Sequence, residues 1–93
     1  MTRQEVDDFL RGLGAEVRTT EGGYIEYEFA DRSRVNIRTD GEVIRTPAPR
    51  YSSDGRKINK GLRLGKDGSL VKTRDEFGNQ IPGTHNTGEK VRN

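Results

Sequence analysis

The apolar positions of this chain follow two periods, one after the other. Val6, Phe9, Leu10 and Leu13 stand at i, i+3, i+4 and i+7, which puts them on one face of a helix. Thr2 stands three residues before Glu5, the spacing at which a hydroxyl and a carboxylate satisfy the orphan amides of a first turn. Gly12 and Gly14 supply the stop, because glycine tolerates the left-handed geometry that follows a helix. The pattern predicts a helix over residues 3–12.

After residue 15 the period becomes two. In "YIEYEF", Ile25, Tyr27 and Phe29 alternate with Tyr24, Glu26 and Glu28. In "RVNIR", Val35 and Ile37 alternate with Arg34, Asn36 and Arg38. Turn-forming stretches separate these runs, "EGG" at 21–23 and "ADRS" at 30–33. Asp40-Gly41 reads as a two-residue hairpin loop. That loop would set Arg38 opposite Val43, Ile37 opposite Ile44 and Asn36 opposite Arg45. Opposite residues share a face. One face then carries Ile25, Tyr27, Phe29, Val35, Ile37 and Ile44 for the helix to cover. The open face carries Glu26, Glu28, Arg34, Asn36, Arg38 and Arg45, where cross-strand Glu–Arg pairing is the simplest account of Arg34.

The texture changes after "TPAP", where Pro47 and Pro49 mark an extended linker. "GLRLGKDGSLVKT" predicts a further hairpin, with Leu62 and Leu64 on one side and Leu70 and Val71 opposite. From residue 74 onward loop is expected, with a last short strand at 89–92. The whole is an α+β domain: a short N-terminal helix packed on an antiparallel β-meander of four to five strands, with a loop-rich C-terminal half. It divides into the helix, a meander over 15–46 and a basic loop and hairpin region over 47–93.

Composition narrows the chemistry. Leu, Ile, Val and Phe make up 19 of the 93 residues, so the core is small. There is no cysteine and one histidine, which leaves no thiol nucleophile and a poor donor set for zinc. No metal or cofactor is expected. No apolar run is long enough to span a bilayer, and no signal-peptide pattern is visible, so no membrane anchor is expected in this segment. Charge is uneven: residues 1–42 hold six Lys/Arg and ten Asp/Glu, whereas residues 43–74 hold nine and two. A basic segment of this kind points to an anionic partner, nucleic acid first.

Phosphate-loop, GxSxG and HExxH motifs are absent, as is a histidine pair. What the residues fit is cleavage of RNA by its own 2′-hydroxyl, which needs a proton shuttle and several cations. His85, in "GTHNTGE", titrates near neutrality and can serve as acid or base. Arg38 and Arg45, expected on the open face, can hold phosphate through their guanidinium forks. Arg50, Arg56, Lys57, Lys60 and Arg63 can track an RNA backbone, and Tyr51 can stack on a base. Thr84 and Thr87 flank His85 and can orient it or touch phosphate. Each of these residues also has a plainer reading. A lone histidine in a Gly/Thr/Asn loop is as often inert, Tyr51 can pack on a sheet edge, and loop lysines can serve solubility alone.

The order helix, meander, basic loops and "GTHNTGE" resembles the bacterial polymorphic toxin nucleases of the barnase–EndoU–colicin–RelE type. The resemblance covers residues 2–91 and rests on element order and texture; many members have more than one helix. It implies an open-sheet active site and a metal-independent endoribonuclease acting on RNA such as tRNA. The catalytic set it implies is His85 as acid/base, with Arg38, Arg45, Lys57 and Thr87 around the phosphate. It further implies secretion or delivery as part of a larger toxin, action in the target-cell cytoplasm, and neutralisation by an acidic immunity protein. The alternative is a non-catalytic basic module that binds nucleic acid or another protein.

Overall fold

A computed structural model describes residues 1–92; Asn93, the end of the expected 47–93 region, lies outside the described residues. Helix α1 spans Arg3–Gly12. Its start has both arms of the expected box: the Glu5 amide donates to Thr2 Oγ1 at 3.2 Å and the Thr2 amide to Glu5 Oε1 at 2.9 Å. Six strands follow: β1 (Glu16–Thr19), β2 (Ile25–Glu28), β3 (Arg34–Ile37), β4 (Val43–Thr46), β5 (Leu62–Leu64) and β6 (Leu70–Lys72). They form one antiparallel meander in chain order, so the fold is α+β with six strands where four to five were expected.

The helix covers one face of the sheet. Leu10 packs with Tyr27, Val35, Ile37, Val43 and Val91, and Val6, Ala15, Val17, Ile25 and Phe29 border that cluster. Tyr27 is buried, and its hydroxyl donates to Asp7 Oδ1 on the helix at 2.9 Å. Burial first, and then the Asp7 carboxylate, push the phenol up to about 12. Only half of the apolar helix stripe is used, however. Phe9 and Leu13 remain exposed, because the helix meets this narrow core through Val6 and Leu10.

One expectation about register is corrected. The turn after β3 holds three residues, Thr39, Asp40 and Gly41, with Arg38 N donating to Glu42 O at 2.9 Å. Gly41 takes the left-handed position, φ 91°, as three-residue loops require. Ile37 therefore pairs with Val43, Asn36 with Ile44 and Val35 with Arg45. A one-residue slip moves every side chain of a strand to the other face. Val43 and Arg45 join the helix side, and Ile44 is buried on the open side instead of in the helix-side core.

The last residues complete the sheet. Segment 87–91 runs along the part of the β4 edge that β5 leaves free: Thr87 N donates to Val43 O, Val43 N to Glu89 O and Val91 N to Gly41 O. Lys90 bridges to Glu42 and Arg92 to Thr2, so the expected strand at 89–92 exists as two isolated bridges. Gly41 is fixed by this contact as well as by its turn. A Cβ there would stand 2.4 Å from Val91 O. Gly41→Ala is expected to cost roughly 2–4 kcal/mol in chemical denaturation, from strain and overlap together. Gly55→Ala, at φ 86° with open space around it, is expected to cost only the strain, about 1 kcal/mol.

Candidate nucleic-acid interface

The face away from the helix carries Arg18, Glu26, Glu28, Arg34, Asn36, Ile44, Thr46 and Arg63, as strand register dictates. Glu26 is its anchor. It is 3% exposed, and its carboxylate accepts from Arg18 Nε and, at 3.3 Å, from Asn36 Nδ2. The Arg34 guanidinium stands 3.5 Å away. Burial pushes this carboxyl up, but Arg18, Asn36 and Arg34 together outweigh it and hold it below the usual range. The cross-strand pairing expected of Arg34 is therefore present, and Arg34 has a second role.

Arg34 also forms one wall of a cleft of about 660 Å³ between the sheet and the C-terminal loops. Lys57, Lys60, Arg63, Lys72 and Arg74 line the same cleft, so among the described residues six cations face it against one carboxylate, Asp75. Asp75 is already committed, accepting from the amides of Asn79 and Phe77 within its own turn. Arg63 is half-buried, donates through Nη1 to Leu62 O at 2.9 Å, and has no hydrogen-bond partner for its buried Nε among the described residues. Burial first, and then the nearby Arg34 charge, press its pKa down. A site in which arginines crowd one another favours an anion between them.

His85 lines this cleft and is half-buried. The loop that carries it is tied at both ends. Ile81 N donates to Thr73 O at 2.8 Å beside β6, and Thr87 N donates to Val43 O at 2.9 Å on β4. Thr84 Oγ1 donates to Ile81 O at 2.6 Å within the loop. Burial first, then the charges of Arg63, Arg38 and Arg74, lower the pKa of the imidazole. Its proton is thus held less tightly than on an ordinary histidine, which favours the neutral ring. The C2–H signal of this single histidine is expected to titrate below the ordinary midpoint in NMR, and to move up in Arg63→Ala. A midpoint at or above the ordinary value in the wild-type protein would contradict the cationic setting. By linkage, the unfolded chain binds this proton more readily. Its contribution to stability is full above the ordinary midpoint and is lost as pH falls.

The other candidate residues divide. Lys57, Lys60 and Arg63 share the cleft with His85. Arg38 does not line it; it lies over the Tyr24 ring, 5.4 Å from the centroid, from where its charge reaches His85. Arg45 is on the helix side and is held by Glu89, Nε to Oε1 at 2.8 Å and Nη2 to Oε2 at 3.2 Å, so the expected open-face phosphate contact is corrected to a clamp on the C-terminal segment. Thr87 is outside the cleft, and its hydroxyl accepts from the Glu89 amide at 3.0 Å. Tyr51 and Lys57 face each other across a tight turn in which Ser52 N donates to Arg56 O at 2.8 Å. Arg56 is exposed and loosely paired with Asp54, 3.7 Å away. Arg50 is exposed too; its amide donates to Asn59 Oδ1 at 3.1 Å.

Sequence reasoning missed several parts. Asn59 is 8% exposed and pins the basic arm, donating to Ala48 O at 2.8 Å while accepting from Arg50 N. Thr73 is 4% exposed and donates to Gly61 O beneath the cleft. Lys72 and Arg74 join the cation ring from the end of β6. Of these, only the charge of "VKTR" left a trace in the sequence. Among the described residues no three His, Asp or Glu side chains converge as metal ligands. Neither a scan of protein-family models nor searches of curated proteins and solved structures find a match to this chain.

Proposed function

We propose that this domain is a metal-independent endoribonuclease and that the cleft around His85 is its active site. One observation carries the reading: the only imidazole of the chain is held half-buried in a cleft lined by six cations, and burial and the nearby arginine charges favour its neutral form. A neutral imidazole can take the 2′-hydroxyl proton of a ribose as its oxygen attacks the adjacent phosphorus. In-line attack places the leaving 5′ oxygen on the opposite side, where an ammonium group such as Lys57 or Lys60, or solvent, returns a proton. Arg63, Arg34 and Arg74 would steady the phosphorane charge, the part of such a reaction in which positioned donors contribute most. The delivered-toxin reading, with action in a target cytoplasm, belongs to this proposal. An acidic immunity protein that covered the cation ring would block substrate by charge and by bulk.

Total cellular RNA incubated with micromolar domain in EDTA is expected to be cut into discrete fragments. Uncut RNA that binds with steep salt dependence would replace the enzyme with the non-catalytic binding module.

A further inference from the structure

The two ends of the sheet are treated differently. After β6 the chain folds back in a further turn, with Ile81 N donating to Thr73 O at 2.8 Å and Arg74 bridging to Gln80. At the other end β1 has β2 as its sheet neighbour and, among the described residues, no other. Thr20 N donates to Tyr24 O at 2.8 Å, and bonding alternates along an antiparallel ladder. Arg18 and Glu16 therefore turn their backbone groups toward β2, whereas Val17 and Thr19 turn theirs outward. Such an edge is a template for another strand.

Charged side chains usually protect an edge of this kind. Here their order along the strand is self-complementary. Glu16 is exposed and stands directly opposite Glu28 on the open face, a like-charge pair that costs stability. Among the described residues no Lys or Arg lies within salt-bridge range of Glu16, and Glu28 meets Arg32 only at 4.0 Å. Arg18 follows two residues later on the same face. It reaches Glu26 through Nε, and its side chain is 68% exposed, so its terminal nitrogens can serve a second carboxylate.

We infer that β1 is a dimerisation edge whose partner is a second copy of this chain, the two strands pairing antiparallel about Val17. In that register the two Val17 residues exchange both of their backbone bonds, and Thr19 N donates to the Ala15 carbonyl of the other copy. Glu16 falls opposite Arg18 of the other copy, twice by symmetry. The neighbouring symmetric registers that use the same outward groups set Glu16 on Glu16 or Arg18 on Arg18, and both repel. Charge thus selects one register, and in it each Glu16 gains the counter-charge it lacks beside Glu28. The dyad is perpendicular to the sheet, so the two open faces lie on one surface with both cation-lined clefts exposed at its far ends. The inference does not depend on the ribonuclease reading. With four strand residues per copy the contact is small, and the dimer is a weak one.

Sedimentation equilibrium from micromolar to millimolar protein tests it. The wild type is expected to pass from monomer to dimer within that range. Glu16→Arg is expected to weaken the dimer about tenfold or more, while the dilute monomer, freed of the Glu16–Glu28 repulsion, melts no lower than the wild type. Thr19→Pro removes an outward N–H without changing a charge and is expected to weaken the dimer as well, a check independent of Glu16. The chain has no cysteine of its own, so Val17→Cys reports the register: mild oxidation is expected to link two copies through it, and not through Glu16→Cys. A wild type that stays monomeric at millimolar concentration, or assembles beyond two copies, would overturn the inference. So would a dimer indifferent to both Glu16→Arg and Thr19→Pro, or one that links as readily through Glu16→Cys. A monomer whose β1 edge instead accepts a strand from a different protein would overturn the second copy as the occupant.

Discussion

Replacing His85 by alanine is expected to slow RNA cleavage by roughly 10²–10⁴-fold, the contribution of a positioned acid–base group. The fold should survive the change. The loop is held by backbone bonds from Ile81 to Thr73 and from Thr87 to Val43, and none of these uses the imidazole. RNA binding should survive as well, because six cations still line the cleft. The expected signature is a large fall in turnover with an unchanged melting temperature and an unchanged salt dependence of binding. Equal loss of turnover and of stability would make His85 a structural residue.

The second large effect concerns stability. Glu26→Ala is expected to destabilise the domain by about 2–3 kcal/mol. That is below the 3–5 of a fully buried broken pair, because the Arg18 side chain is 68% exposed and can turn to water. In a domain of this size such a loss lowers the melting temperature by roughly 10–20 °C. Arg34 loses the carboxylate 3.5 Å from it while the Arg63 charge stays near, so activity should fall as well. Glu26→Gln keeps the volume and can still accept from Asn36, and should lose less. The pH dependence follows from the same contacts. The folded pKa of Glu26 is depressed, so its contribution is full above the ordinary glutamate range and is lost as pH falls through the folded value. Urea midpoints measured from pH 7 downward check both statements. A Glu26→Ala variant as stable as the wild type would show that Arg18 and Arg34 do not depend on it.

Local features were legible in the sequence wherever a short segment decides its own structure. The helix bounds and the Thr2–Glu5 box came from one turn of chain, and the β5–β6 hairpin from Gly and Asp-Gly positions that need no partner. The alternation through Ile25, Tyr27, Val35 and Ile37 named the helix side of β2 and β3 correctly. What failed depended on a distant partner. Asp40-Gly41 is compatible with a two- or a three-residue loop, and the close passage of Val91 over Gly41 belongs to the far end of the chain. That single residue of register decided whether Arg45 stood on the open face or beside Glu89. The site was legible in the same partial way. Charge counting located the basic segment and the lone histidine drew attention to 83–89, but only the tertiary fold shows that they share one cleft with Arg34. Asn59 and Thr73, which brace that cleft, carry no charge and follow no period, so nothing local marks them.

The most direct measurement is the chemistry of the ends left on cut RNA. Purified domain acting in EDTA is predicted to leave 2′,3′-cyclic phosphate and 5′-hydroxyl termini, to spare an all-deoxy version of the same sequence, and to lose this activity in His85→Ala. Intact RNA at high protein concentration, 3′-hydroxyl ends, or equal cutting of the deoxy strand would contradict attack by the neighbouring 2′-hydroxyl at this cleft.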